Sequence, residues 1–119
     1  MKNITVLTGA GISAESGIRT FRDSDGLWEN HRVEDVASPQ GFAKNPVLVW
    51  DFYKARYQQS LDAEPNPAHY ALTRLEEHFG DSFNLITQNV DGLHIRAGNT
   101  RVYEMHGRLA MAFCSSCRS

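Results

Sequence analysis

This 119-residue chain is short of cysteine, with two, and of proline, with four, and neither sign of charge dominates: 12 Lys and Arg stand against 14 Asp and Glu. Each shortage excludes something. Two neighbouring cysteines near the C-terminus do not build the disulfide framework of a small secreted domain. With a net charge of -2 and no basic stripe, nucleic acid is not an expected partner, because phosphate-backbone binding needs clustered Lys and Arg. The apolar runs are far too short to cross a bilayer, so no membrane partner is expected either. Met1-Lys2-Asn3 leads straight into a strand-like run, where no secretory signal fits. A cytoplasmic protein is the expectation. What remains is ordinary globular material, 41% hydrophobic and 22% charged, enough for one domain around one core.

The most informative stretch is Gly9–Arg22, G-A-G-I-S-A-E-S-G-I-R-T-F-R. It follows an alternating run, Ile4-Thr5-Val6-Leu7-Thr8, that reads as a strand. A strand that ends in Gly-x-Gly-x-x-Ala and passes into a helix is suited to holding a pyrophosphate. The first glycine permits the tight turn and the second lets the phosphate approach the backbone. Unpaired N–H groups at the helix start then face the anion. Such a motif alone is weak. Here Ser13, Ser16, Arg19, Thr20 and Arg22 add polar and cationic groups beside it.

Further along, Asp23–His31 reads as a loop or a single helical turn. Ser38-Pro39, Asn45-Pro46 and Asn66-Pro67 pair a capping residue with a proline that can open a helix. Val49, Phe52, Tyr53 and Tyr57 share one face of a helix expected over Pro46–Leu61. Ala68, Ala71, Leu72, Leu75 and Phe79 do the same for the next, which Gly80 ends. Phe83–Ile86 and Arg101–Met105 read as strands, Asp91–Ala97 as one or two helical turns closed by Gly98, and Leu109–Phe113 as a fourth strand or a loop. Strands alternating with helices indicate an α/β fold with a parallel sheet. In such a sheet the ligand crevice lies at the carboxyl ends of the strands. Three polar groups follow those ends: Thr8-Gly9-Ala10-Gly11, Thr87-Gln88-Asn89-Val90-Asp91 and His106-Gly107. Their convergence at one edge is the main sequence argument for an active site.

Each group also has a plainer reading. His106 has a side chain that titrates near neutrality and suits a general base, although a lone histidine is more often a surface residue. His94 lies in the crossover and fits a packing role. Gln88, Asn89 and Asp91 can grip ribose hydroxyls or a carboxamide, or Asp91 can cap the following turn. Tyr53 and Arg56 lie three apart on one helical face, a phenol and a guanidinium that suit a carboxylate; otherwise the Tyr packs and the Arg is solvated. Cys114-x-x-Cys117 is half of a tetrahedral zinc site, or a redox dithiol.

Taken together, these motifs closely resemble the sirtuins, the NAD-dependent protein-lysine deacylases, and among them the bacterial desuccinylase-like class. The resemblance is carried by Gly9–Arg22, D-G-L-W at Asp25–Trp28, T-Q-N-V-D-G-L-H at Thr87–His94, H-G at His106–Gly107 and C-x-x-C at Cys114–Cys117, in the family's order, across essentially the whole chain. It implies a partial Rossmann-like parallel sheet with flanking helices, and the start of a small zinc module at residues 114–119. It implies NAD+ contact for Gly9, Ala10, Gly11, Ser13, Glu15, Ser16, Thr20, Phe21, Arg22, Trp28, Gln88, Asn89, Val90 and Asp91. His106 becomes the catalytic base. Tyr53 and Arg56 become the reader of an acidic acyl group, and Cys114 and Cys117 two of the four ligands of a structural Zn2+.

The implied reaction is NAD-consuming acyl transfer from acyl-lysine side chains of substrate proteins: desuccinylation, demalonylation and also deacetylation. The acyl oxygen attacks the ribose carbon that carries nicotinamide, and nicotinamide leaves. His106 then takes a proton from a ribose hydroxyl, which attacks the acyl carbon. The family's second cysteine pair and its later Gly-Thr-Ser segment do not occur here. The expectation is therefore an N-terminal portion of a deacylase domain (residues 1–119) that alone binds NAD weakly and turns over poorly or not at all, with apolar surface left uncovered on its sheet. The alternatives are a non-enzymatic fragment that binds NAD or ADP-ribose, and a thiol redox protein.

Overall fold

A computed structural model of the chain describes residues 2–19 and 27–119. Three parallel strands, β1 (Ile4–Thr8), β2 (Phe83–Thr87) and β3 (Val102–Glu104), form one sheet in the order β1-β2-β3. The helices are α1 (Val33–Val36), α2 (Pro39–Lys44), α3 (Pro46–Asp62), α4 (Pro67–Phe79) and α5 (Leu93–Ala97). Short 3-10 segments run over Ala10–Ser16, directly after β1, and Gly80–Ser82, before β2. The architecture is a Rossmann-like α/β fold.

Three helices start where a capping side chain precedes proline, because proline at the first helical position has no N–H to leave unpaired. Ser38 Oγ accepts from Gly41 N at 2.9 Å, Asn45 Oδ1 from Leu48 N at 3.1 Å and Asn66 Oδ1 from Ala68 N at 2.9 Å. The Asn66 cap is reciprocal, since Asn66 N–H donates to His69 Nδ1 at 3.0 Å. At the other end of α5, Gly98 takes a φ of 114° and returns its N–H to Ile95 O at 3.0 Å. A side chain there would be strained by the backbone and would crowd Thr73 Cγ2 at 3.3 Å.

Side chains alternate between the two faces of the sheet. Phe83 and Leu85 are buried on one face, which α4 closes, and α5 packs against α4. On the other, Leu7, Ile86 and Tyr103 line up in register across the three strands. Leu7 is 62% and Tyr103 66% exposed, so this face carries the uncovered apolar surface that was expected. The register also sets Thr8 beside Thr87 and Thr87 beside Glu104. All three strands therefore end at one level, and the loops that follow them emerge side by side.

Some details differ from the sequence reading. Of the two readings of residues 109–113, strand or loop, the loop holds; Leu109 N–H donates to Val90 O at 3.0 Å, tying it to the loop after β2. Helix α1 was not anticipated, because four residues are too few to show a period. Tyr57 and Ala68, which periodicity sets on the apolar faces of α3 and α4, are exposed. Of Asp23–His31, the described residues 27–31 take the loop reading rather than the helical one, closed by an antiparallel bridge between Trp28 and His31. No helix among the described residues is long and apolar enough to cross a membrane.

Candidate active site

The site is assembled from the loops that leave β1, β2 and β3. After β1, Gly9 enters in extended geometry and the chain winds through Ala10–Ser16. A Cβ built on Gly9 or Gly11 would meet nothing within 4 Å, so open space lies beside this backbone. Asn89, in the loop after β2, donates from Nδ2 to Gly9 O at 2.9 Å. Ser13 Oγ donates to Asp91 Oδ2 at 2.7 Å, and Asp91 Oδ1 accepts from Leu93 N at 3.0 Å. Asp91 thus supports the turn that leads into α5 and is tied to the glycine loop through Ser13.

Behind these loops lies a polar layer that the sequence did not disclose. Asn66 Nδ2 donates to Ile12 O at 2.7 Å and to Ser16 Oγ at 3.0 Å, pinning the glycine loop to the start of α4. The fully buried His69 accepts from Asn66 N–H at Nδ1, so its proton sits on Nε2, 3.4 Å from Ser13 Oγ. Thr8 Oγ1 donates to Thr87 Oγ1 at 2.8 Å, which leaves Thr8 to accept from His94 Nε2 at 2.8 Å. Burial pushes the His94 pKa down to about 4; a charge on His69 adds to this and Asp91 opposes it. Burial also lowers the His69 pKa, against a raising pull from Asp91. Both rings are therefore neutral struts at physiological pH. The packing role read for His94 holds, while Asn66 and His69 carried no signal beyond a helix start.

His106 follows β3 and places Nδ1 3.1 Å from Gln88 O. A carbonyl only accepts, so Nδ1 is the donor; in the neutral ring the lone pair is then on Nε2, the tautomer a general base needs. His106, Ala10, Ser13, Asn89 and Asp91 line one cavity of about 760 Å³. Gln88, Val90, Trp28, Tyr53 and Arg56 line it too. Trp28 packs edge-on to Phe52 and Tyr53, with ring centroids 4.8 and 5.9 Å away. Burial raises the Tyr53 pKa, keeping the phenol a neutral donor. The Arg56 guanidinium stands over the Phe52 ring at 5.0 Å.

Not every residue named from the sequence joins this lining. Gly9, Gly11, Glu15 and Ser16 do not line it: Gly9 touches the lining through Asn89, Ser16 is held by Asn66 outside it, and Glu15 is exposed. Thr20, Phe21 and Arg22 lie outside the described residues. Cys114 and Cys117 are exposed free thiols. Hydrogen bonds from the backbone of Cys117 and Ser116, then from the Cys117 side chain, lower the Cys114 pKa. Structural zinc takes four ligands, whereas among the described residues no three His, Cys, Asp or Glu side chains gather to hold a metal. Two thiols alone do not make that site.

The chain matches the Sir2 family over residues 9–119. It belongs to that family. Among curated Sir2 relatives, the NAD-dependent protein deacylase of Bdellovibrio bacteriovorus is 61% identical over 118 residues, covering 98% of this chain and 50% of the relative. That of Salmonella typhimurium is 64% identical over 114 residues, covering 94% and 42%. The chain spans about half the length of the curated relatives it matches. Among solved structures, a mutant Sir2 homologue in complex with ADP-ribose superposes with a TM-score of 0.88 at 49% identity, over 99% of this chain and 47% of that one. A Sir2 homologue in complex with NAD gives 0.84 at 48% identity, over 99% and 45%.

Proposed function

We propose that residues 1–119 are the N-terminal part of an NAD-dependent protein acyl-lysine deacylase domain, supplying the cofactor loop, the catalytic base and the acyl reader. The observation that carries this reading is the meeting of the glycine loop, Asn89, Asp91 and His106 around one cavity, with His106 Nε2 left as a free acceptor. Gly9, Ala10, Gly11 and Ser13 would lie along the pyrophosphate, and Gln88, Asn89, Val90 and Asp91 at the ribose and carboxamide. NAD+ is consumed as cosubstrate and brings the ribose carbon from which nicotinamide leaves. His106 would take the proton from a ribose hydroxyl. Names of relatives that describe NAD-dependent protein deacylases, and homologous structures holding NAD or ADP-ribose, support the reading.

For acyl preference we propose desuccinylation and demalonylation alongside deacetylation, through Tyr53 and Arg56. Both line the cavity, one as a neutral phenol and the other as a guanidinium, which together match a carboxylate. Cys114 and Cys117 would open a zinc module whose other ligands lie beyond these residues. Their free thiols fit a cytoplasmic location.

The test is nicotinamide release from NAD in the presence of succinyl-lysine or acetyl-lysine peptide, together with titration of ADP-ribose. NAD-dependent deacylation that disappears in His106→Ala supports an enzyme. Because the chain spans about half of its relatives, a second reading is a non-enzymatic NAD or ADP-ribose binder. Saturable ADP-ribose binding with no turnover, in this chain and in a chain extended to the length of its relatives, favours that one. No binding of ADP-ribose at all overturns both.

A further inference from the structure

Arg56 is held in an unusual state for a surface-helix arginine. Its side chain is 18% exposed, its guanidinium is stacked on Phe52, and its Nε is buried without a hydrogen-bond partner among the described residues. Among the described residues its counter-charge is Glu29, whose Oε2 lies 3.9 Å from Arg56 Nη1. That is an ion pair beyond hydrogen-bond length, so it balances the charge without using the directional donors of the fork. The Glu29 side chain is itself only 17% exposed, and both residues line the cavity.

Glu29 reaches this position through a costly backbone. Trp28 and His31 exchange N–H···O bonds of 2.9 and 3.0 Å around Glu29 and Asn30, whose φ angles are 49° and 65°. Two successive left-handed residues make a type I′ turn, which favours Asn, Asp or Gly and disfavours a long side chain such as Glu. The turn is clamped nevertheless. His31 Nδ1 donates to Glu29 O at 2.8 Å, and the His31 and Trp28 rings both pack on Phe52, at 5.2 and 4.8 Å. An unfavourable conformation that its neighbours over-determine, with a carboxylate delivered to a buried guanidinium, marks a functional position.

We propose that Glu29 is a specificity-determining residue: its carboxylate occupies Arg56 until an acidic acyl group displaces it. This rests on Arg56 being the acyl reader. Glu29 makes a succinyl or malonyl group exchange one carboxylate for another at the guanidinium, while an acetyl group leaves the pair intact. The loose 3.9 Å contact suits an internal competitor, because a ligand carboxylate that pairs with two N–H groups outcompetes it. Glu29 thereby narrows the gap between acidic and neutral acyl-lysines.

The experiment titrates succinyl-lysine and acetyl-lysine peptides into the 119-residue chain, as wild type, Glu29→Gln, Arg56→Met and the double variant. Glu29→Gln should tighten succinyl-peptide binding about two- to five-fold, the range of a partly exposed ion pair, and leave acetyl-peptide binding unchanged. In the Arg56→Met background the same change should do nothing. Equal effects on the two peptides, a gain that persists without Arg56, or weaker succinyl binding in Glu29→Gln overturns the proposal. If Arg56→Met binds succinyl peptide as well as wild type, the reader assignment itself fails. Failure of wild type and Glu29→Gln alike to bind succinyl peptide sinks both. Glu29→Gly suits the left-handed backbone and keeps the fold; it should reproduce the Gln result, and its failure to do so counts against displacement.

Discussion

Ser13 and Asp91 stand 78 positions apart in sequence, yet Ser13 Oγ donates to Asp91 Oδ2 over 2.7 Å. This bond joins the glycine loop after β1 to the loop after β2. Its donor is buried and oriented by His69 behind it. The proposed cofactor groove is therefore pre-organised by a chain of buried hydrogen bonds that ends on the Asp91 carboxylate.

Ser13→Ala removes that tie and leaves Asp91 Oδ2 without its donor. The expected cost is about 1–3 kcal/mol of stability, the penalty for an orphaned polar group. ADP-ribose affinity should fall with it, read by calorimetric titration beside a denaturant melt. Unchanged affinity at reduced stability would show that the bond supports the fold and not the groove.

Stability should decline as the solution is acidified from neutral pH. Unfolded His94 takes up a proton near 6.5, whereas the folded residue does so only at about 4. Between those values the unfolded chain binds more protons, so stability drops as pH falls and is flat above about 7, with a total loss on the order of 3 kcal/mol. Urea melts at several pH values measure this. His94→Gln should flatten the slope in that window, and a slope unaltered in the variant assigns it elsewhere.

Gly41→Ala tests the crossing of α1 and α2. Helix propensity favours alanine over glycine by about 1 kcal/mol. The packing opposes it, because a Cβ at Gly41 would stand 2.5 Å from Asp35 O and 2.6 Å from Glu34 O. Neither carbonyl belongs to a flexible side chain, so overpacking of about 1–3 kcal/mol should win. A thermal melt decides the sign, and a stabilised variant refutes the close crossing.

Glu76 braces the segment that enters β3. It accepts from Thr100 N at 3.0 Å, Thr100 Oγ1 at 2.8 Å, Arg101 N at 3.0 Å and Asn99 Nδ2 at 3.2 Å. Burial pulls its pKa up, but these bonds together hold it below the ordinary value of 4.5. Its contribution is present above that value and is lost as pH falls through the lowered one. Glu76→Ala should cost about 1–3 kcal/mol, and Glu76→Gln should retain part of this and abolish the acid limb below pH 4.5. Equal losses in the two variants would show that the charge matters and the acceptor geometry does not.

Local signals were legible wherever the physics is local. The caps before proline at Ser38, Asn45 and Asn66, the stop at Gly98 and the strands at Ile4 and Phe83 all stand where their residue chemistry placed them, to within a residue or two. The short helix α1 and the turn at Glu29 were not legible: four residues show no period, and Glu is a poor signal for a left-handed turn. The exposure of Tyr57 was not legible either, since periodicity marks a face of a helix without saying how far the covering layer extends.

The order of residues was enough to commit this chain to an α/β fold, because strand alternation, helix caps and glycine stops act over a few residues and need no partner. It also placed polar groups after each strand. Packing alone settled which of them serve one another. Asn66 pins Ile12 and Ser16, His94 bridges to Thr8, and Glu29 faces Arg56. Each such pairing joins segments whose contact depends on the parallel register and the clamped turn, and no spacing along the chain encodes it.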